Sequence, residues 1–126
     1  MAIIGIGTDI VKISRINKVF KKHPRGFPER ILHPNELQVL ATHKTPKTYI
    51  AKRFAAKEAV AKALGTGIAE GVGFQEIEVS NNNKGQPVLT LHGKTLQLAQ
   101  KLGVTRTFIS LSDEKKYAIS YVILES

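Results

Sequence analysis

The 126-residue sequence contains no cysteine, which excludes both disulfide bonds and thiolate metal sites. No apolar stretch approaches the roughly 20 residues of a membrane span and the amino end lacks a signal-peptide pattern, so we expect a cytoplasmic protein without a membrane partner. The formal net charge of +9 is uneven, because residues 1–70 carry a balance of +8 and residues 71–126 only +1, which predicts a basic partner surface in the first half.

The amino end has the alternation of a β-strand over residues 3–11. One face holds Ile4, Ile6, Thr8 and Ile10, and the other holds Ile3, Gly5, Gly7, Asp9 and Val11. Asp9 therefore shares its face with two glycines, which in a strand often mark the close approach of another backbone or a ligand. A carboxylate there has to be paired, solvated or bound to a cation, although an aspartate that caps a turn is the simpler alternative.

Residues 12–22 predict a short basic amphipathic helix. Ile13, Ile16 and Phe20 recur at spacings of three and four, with lysines and an arginine between them. A solvated face is the default interpretation of such charges, and nucleic acid is the second. The chain has no tryptophan and the cluster lacks a stacking platform for single strands, so we do not expect a nucleic-acid partner.

Proline and glycine predict a loop over residues 23–28, followed by a short turn over residues 29–32. Pro34 then opens a helix that extends to about residue 41. His33 and His43 flank this helix. Because no further histidine, cysteine or carboxylate spacing supports a zinc site, we expect both to be surface residues.

A long helix is predicted over residues 48–64, where good helix formers end at two glycines that can adopt positive φ. At about 100° per residue, Glu58 and Lys62 fall within a sector of roughly 80° among small residues. This sector consists of Ala51, Ala55, Glu58, Lys62 and Gly65. A helix against a phosphate or a metal needs such a clearing, whereas an i,i+4 Glu–Lys pair on a surface helix is the simpler alternative.

Asp9 and Glu58 converge on one hard cation if the first strand packs against the long helix. Two carboxylates that leave open positions for water and phosphate oxygens are the usual way in which a protein holds Mg²⁺.

The second half predicts strands over residues 75–80 and 88–91 around a turn, a helix over residues 93–102, and a hairpin over residues 107–112 and 116–124. The fold class is therefore α+β. We expect an antiparallel sheet packed on a long central helix, with short helices after the first strand, in a single domain over residues 1–126.

Several motifs follow one another in a fixed order along nearly the whole chain. They are GIGTDIV at residues 5–11, Arg30-Ile31-Leu32 with Glu36-Leu37, RFAAKEA at residues 53–59, KALGTGI at residues 62–68, Phe74 with EIE at residues 76–78, Lys84-Gly85 with Pro87, and Ser110-Leu111-Ser112 with Tyr117-Ala118. Together they resemble the holo-acyl carrier protein synthases, the small bacterial type of 4′-phosphopantetheinyl transferase.

The resemblance implies the 4′-phosphopantetheinyl transferase fold and a homotrimer with an active site at each subunit interface. It also implies a Mg²⁺-dependent transfer of the 4′-phosphopantetheine group from coenzyme A to a serine of apo-acyl carrier protein. The products are holo-acyl carrier protein and adenosine 3′,5′-bisphosphate, and the process served is fatty acid biosynthesis.

The same resemblance assigns roles to individual residues. Asp9 and Glu58 hold Mg²⁺, and Lys62 meets the leaving phosphate, so that Glu58 and Lys62 are the catalytic residues. Either Glu58 or a metal-bound water accepts the serine proton. Coenzyme A contacts Lys57, Lys62, Gly65, Lys84, Pro87 and Ser110. The acidic helix of the carrier protein contacts Arg15, Lys22 and Arg25.

Asp113 departs from the family pattern, which typically has a histidine after Ser-Leu-Ser. An ionised aspartate repels phosphates. We therefore expect Asp113 to turn away from the nucleotide, toward Lys115 or Lys116.

A non-enzymatic basic adaptor that binds nucleic acid or an acidic protein is the alternative function. It accounts for the net charge of +9. It does not account for Asp9 among glycines or for Glu58 among alanines.

Overall fold

The computed structural model describes residues 1–68 and 71–126. The helices are α1 (Ile13–Lys22), α2 (Gly26–Ile31), α3 (Pro34–Thr42), α4 (Pro46–Leu64) and α5 (Gly93–Lys101). The strands are β1 (Ile3–Lys12), β2 (Ile77–Asn81), β3 (Pro87–Leu91), β4 (Arg106–Asp113) and β5 (Tyr117–Glu125), and a 3₁₀ turn at Phe74–Glu76 precedes β2. Among the described helices, none has the length and apolar character that crossing a membrane requires.

The predicted α+β class is confirmed, and the strands form two antiparallel sheets where the sequence suggested one. The larger sheet has the order β1-β5-β4, and the smaller consists of β2 and β3. In the larger sheet Asp9 pairs with Ser120, and Tyr121 pairs with both Thr8 and Ser110. The inner face of this sheet packs against α4, as expected of the long central helix.

Two groups of buried residues hold the helices to the sheets. One group surrounds the carboxyl end of α4 and includes Val60, Ile77, Val122 and Leu124, while the other gathers the short helices around Ile50. Most residues of α4 are buried, because the helix is covered by the sheet on one side and by the short helices on another. Burial of apolar side chains at about 25 cal/mol per Å² is the main force that keeps α4 central.

Two glycines allow β1 to approach α4 more closely than any side chain would permit. A Cβ atom built on Gly5 would lie 1.9 Å from the carbonyl oxygen of Ala63, and one built on Gly7 would lie 1.8 Å from that of Ala59. These distances are far below van der Waals contact. The close approach predicted from glycine in this strand is therefore confirmed, and the approaching backbone is that of α4.

The starts of α2 and of β2 differ from the sequence predictions. The loop predicted over residues 23–28 is wrong at its end, because α2 already begins at Gly26. Pro28 is tolerated there, since first-turn amides have no intrahelical partner. The first strand of the small sheet begins at Ile77, two residues later than predicted, because the 3₁₀ turn places Phe74 against Phe54 with ring centroids 5.6 Å apart.

Candidate active site

Asp9 and Lys62 form an ion pair where β1 crosses α4. The Lys62 ammonium donates to Asp9 Oδ1 at 2.9 Å and to the carbonyl oxygen of Thr8 at 3.0 Å. The Asp9 side chain is mostly covered, whereas about half of the Lys62 side chain is exposed. The strand thus fixes the carboxylate, and the lysine reaches it from the solvent side of the helix.

Glu58 lies one helical turn before Lys62 and interacts electrostatically with both Lys62 and Asp9. Partial burial raises the pKa of the Glu58 carboxyl, the nearby charge of Asp9 raises it further, and Lys62 opposes the shift. The two carboxylates are therefore close enough to repel each other, and the Lys62 ammonium offsets part of that repulsion. Asp9 and Lys62 are thus in contact, and Glu58 lies close enough to interact electrostatically with both.

The donor set at this position fits a hard divalent cation. Magnesium prefers carboxylate oxygens and keeps several positions for water or phosphate. A cation held by Asp9 and Glu58 would relieve the repulsion that contributes to the raised pKa of Glu58. The residues present can therefore hold Mg²⁺, and an ion at Asp9 would release Lys62 from its ion pair to meet an anionic group.

The remaining residues assigned to coenzyme A lie in two other places. Gly65 ends α4 in the left-handed conformation at φ 83°, and its amide donates to the carbonyl oxygen of Lys62. Pro87 and Ser110 line a cavity of about 440 Å³ between β3 and β4, and Lys84 lies in the exposed turn before β3. The residues that line this cavity do not include Asp9, Glu58 or Lys62. Within the described part of one chain, the two groups therefore do not share a cavity.

Lys57 is a structural residue, which corrects its assignment to coenzyme A. Its side chain is fully buried, and its ammonium donates to Glu36 Oε1 at 2.6 Å and to the carbonyl oxygen of Phe74 at 2.9 Å. Burial lowers the pKa of Lys57, and the Glu36 carboxylate opposes that shift. An ammonium enclosed in this way does not reach a bound nucleotide.

Sequence reasoning did not identify Glu36 as the partner of this buried lysine. Glu36 also accepts from the amides of His33 and Val79, so its carboxylate joins α3, α4 and β2. Its position three residues after His33 forms a capping box at the start of α3. That spacing is visible in the sequence and was the available signal.

The residues assigned to the carrier protein are accessible. Arg15, Lys22 and Arg25 are all exposed on α1 and in the turn that follows. Arg25 lines an apolar groove of about 410 Å³ that Phe20 and Leu40 also line.

A larger cavity of about 580 Å³ lies beside α1 and is lined by lysines, namely Lys12, Lys18, Lys21, Lys47, Lys115 and Lys116. Two of these lysines come from the second half of the chain. The charge balance of the two halves did not predict their contribution.

Asp113 pairs with Lys52 of α4 at 3.0 Å. The expected partners, Lys115 and Lys116, both line the lysine-rich cavity instead. The prediction of a lysine partner is confirmed, but the predicted lysines are wrong, because Lys52 lies far from Asp113 in the sequence.

The two histidines beside α3 have different environments. His43 is exposed as predicted, and its Nδ1 accepts from the amide of Thr45. His33 is not a simple surface residue, because its ring stacks on that of His92 at 4.9 Å and lies beside Glu78. The two rings belong to residues 59 positions apart, so spacing along the sequence does not connect them.

Comparison with known proteins places these features in context. Residues 5–122 match the family model described as the 4′-phosphopantetheinyl transferase superfamily. The chain is 54% identical to a holo-[acyl-carrier-protein] synthase of Photobacterium profundum, with 100% of both chains covered. The solved structure of the holo-[acyl-carrier-protein] synthase from Neisseria meningitidis is similar at a TM-score of 0.94 and 40% identity, covering 99% of this chain and 100% of that one. The Bacillus anthracis holo-(acyl-carrier-protein) synthase in complex with CoA (3′,5′-ADP) is similar at a TM-score of 0.84 and 40% identity, covering 98% and 97% of the two chains.

Proposed function

The chain belongs to the 4′-phosphopantetheinyl transferase superfamily, and we propose that it transfers the 4′-phosphopantetheine group from coenzyme A to a serine of an apo-acyl carrier protein. The products are the holo carrier and adenosine 3′,5′-bisphosphate. The observation that carries this proposal is the meeting of Asp9, Glu58 and Lys62 in a chain that resembles holo-[acyl-carrier-protein] synthases over its whole length. An enzyme of this superfamily accounts for that site, which a non-enzymatic basic adaptor does not need.

In the proposed reaction, the serine hydroxyl attacks a pyrophosphate phosphorus and the bisphosphate leaves. Mg²⁺ held by Asp9 and Glu58 would neutralise the charge that develops on the phosphates. Lys62 presents an ammonium to the leaving phosphate, since its half-exposed side chain reaches the site from solvent. Glu58, or a water molecule held beside it, would accept the serine proton. The contribution of the protein is mainly positioning and charge.

We propose that the site is completed by a second copy of the chain in a homotrimer. Two features support this arrangement. Pro87 and Ser110 line a cavity that is separate from Asp9 and Glu58. In the proposed trimer, one subunit supplies the metal site, and its neighbour supplies the nucleotide site, which includes Lys84. The outer face of the larger sheet also exposes Ile6, Ile10, Phe108 and Tyr121, and an apolar patch of this kind is characteristic of an interface.

The nucleotide end of coenzyme A is proposed to contact Lys62 and Gly65 at the end of α4 and Lys84, Pro87 and Ser110 across the interface. Gly65 is exposed, and a Cβ atom there would meet nothing within 4 Å. The backbone therefore leaves room for a phosphate at the carboxyl end of α4. From the family resemblance alone, we also propose that the reaction serves fatty acid biosynthesis in the cytoplasm.

The proposed reaction is tested by incubating the protein with apo-acyl carrier protein, coenzyme A and Mg²⁺ and then weighing the carrier by mass spectrometry. We expect the carrier to gain the mass of one 4′-phosphopantetheine group. A carrier in which the acceptor serine is replaced by alanine is the control and should keep its mass. If the native carrier also keeps its mass while binding the protein, the adaptor function replaces the transferase.

We expect the Michaelis constant for the carrier to rise steeply with salt, while the constant for coenzyme A responds less. Arg15, Lys22 and Arg25 are exposed, and charges in solvent are screened within about 10 Å at 0.1 M salt. Arg15→Glu should raise the carrier constant without an equal loss of turnover at saturation. Initial rates measured at several salt concentrations provide the check.

Lys101→Glu is the matched control, because this exposed lysine ends α5 outside the proposed docking face. It changes the net charge by the same amount as Arg15→Glu and should leave the carrier constant within a factor of two. A carrier constant that is flat across salt would exclude the docking face.

A further inference from the structure

Two histidines and one glutamate converge where α3, β2 and α5 meet. His92 Nε2 lies 2.9 Å from Glu78 Oε1, and His33 Nε2 lies 3.7 Å from the same oxygen. The two imidazole rings stack at 4.9 Å with 22° between their planes. One potential ligand atom from each residue lies within 4.8 Å of the other two. The proposed transferase site uses none of these three residues.

The backbone holds each of the three residues at a fixed point. His33 is the N-cap of α3, and Glu78 lies on β2. His92 follows β3 directly as the N-cap of α5, and its amide donates to the carbonyl oxygen of Glu76 at 2.8 Å. Three separate elements therefore deliver the side chains, and packing between the elements fixes their distances before any ligand binds.

We propose that His33, Glu78 and His92 form a binding site for a divalent transition-metal ion of the zinc type. With bonds of about 2.0 to 2.2 Å, neighbouring donor atoms around a tetrahedral zinc ion lie roughly 3.3 to 3.6 Å apart. The separations of the two histidines from Glu78, 2.9 and 3.7 Å, bracket that range, and the donor atoms of the two histidines lie within 4.8 Å of each other. Two imidazoles with one carboxylate suit zinc, copper or nickel, whereas Mg²⁺ prefers a set made only of oxygen ligands.

The chemical state of Glu78 suits this role. Hydrogen bonds from Asn35 and His92 lower the pKa of the Glu78 carboxyl, although burial opposes the shift. Asn35 Nδ2 donates to Glu78 Oε2 at 2.9 Å, which orients the carboxylate and leaves Oε1 toward the two rings. Such an orienting hydrogen bond behind a ligand is usual in metal sites. Glu78 is nearly covered while 41% of the His92 side chain is exposed, so solvent can supply a fourth ligand.

Metal binding at this site is coupled to the capping of α3. The Asn35 amide donates to His33 Nδ1 at 3.0 Å, so the neutral ring carries its proton on Nε2. An ion at Nε2 requires that proton to leave and Nδ1 to be protonated, after which Nδ1 cannot accept from Asn35. Binding of the ion therefore removes the hydrogen bond from Asn35 to His33 at the start of α3 and adds metal–ligand bonds that connect α3, β2 and α5. By linkage, an ion that binds only the folded chain stabilises it.

The test is calorimetric titration of the metal-stripped 126-residue chain with ZnCl₂ in excess Mg²⁺, which competes with zinc at Asp9 and Glu58. The expected result is one zinc ion per chain. His92→Ala and His33→Ser should each weaken binding at least tenfold. His33→Ser removes the imidazole but introduces a serine, which can still form a capping box with Glu36. The variant therefore distinguishes the loss of a metal ligand from the loss of the helix cap.

His43→Ala is the matched control, because His43 also accepts an amide hydrogen bond through Nδ1 but lies outside the cluster. It should bind zinc as the wild type does. Zinc should raise the thermal midpoint of the wild type and His43→Ala but not of His92→Ala. Cobalt(II) in place of zinc should give the visible absorption of a tetrahedral site, and this absorption should be lost in His92→Ala.

Equal zinc affinity in the wild type and His92→Ala overturns the proposal. So does zinc binding that survives in His92→Ala but is lost in Asp9→Ala, because that result assigns the ion to the transferase site. His92 is partly exposed, so its replacement should not disturb folding; if His92→Ala melts early without metal, His92→Gln provides the same comparison.

Discussion

Asp9→Ala and Glu58→Ala are each expected to lower turnover by roughly a thousandfold or more, since a bound metal ion contributes several kcal/mol of charge stabilisation and each 1.36 kcal/mol is tenfold in rate. The fold should stay intact. Asp9 and Glu58 are only partly buried and belong to neither group of buried core residues, so neither truncation empties a packed core. Initial rates by mass spectrometry of the carrier, together with thermal melts, provide the measurement.

High Mg²⁺ should partly restore turnover in these variants if weakened metal binding is the main defect. Asp113→Ala is a matched control, because it also removes an acidic group from an ion pair with a lysine of α4, at a similar distance. We expect its turnover to stay within a few-fold of the wild type. Full activity of Asp9→Ala or Glu58→Ala in the presence of a chelator would end the metal assignment.

The core of the proposed site was predictable because it depends on local periodicity. Alternation in β1 placed Asp9 on the face of Gly5 and Gly7, and helical periodicity placed Glu58 beside Lys62. The glycines then indicated which face meets another backbone. Each step used neighbours within one element, where the side-chain direction follows from the backbone repeat.

The misplaced residues all depend on pairs that are distant in the sequence. Lys57 lies on the predicted α4, but its burial depends on Glu36, which comes from α3. Asp113 depends on Lys52 in the same way. Charge and periodicity describe a single segment, so they do not show which segment supplies the opposite charge. Packing between elements decides that choice.

The exposed side of the larger sheet shows a related limit. Ile6 and Ile10 lie on the face of β1 opposite the glycines, so the residues on both faces of this strand are mostly apolar or small. Alternation alone does not say whether an apolar outer face meets the same chain or another one. The structure leaves Ile6 and Ile10 each about 60% exposed. The proposal that a second copy of the chain covers them rests on the family resemblance and not on this pattern.

Gly7→Ala is expected to destabilise the fold by roughly 3 kcal/mol or more, at or beyond the upper end of the usual cost of overpacking. The added Cβ would lie 1.8 Å from the carbonyl oxygen of Ala59, so β1 has to move away from α4 and carries Asp9 with it. The thermal midpoint should fall by about 10 °C and turnover should be lost. Gly26→Ala is the control, since its Cβ would meet nothing nearer than 3.9 Å. A Gly7→Ala midpoint close to that of Gly26→Ala would show that β1 and α4 can separate without cost, contrary to the close contact described above.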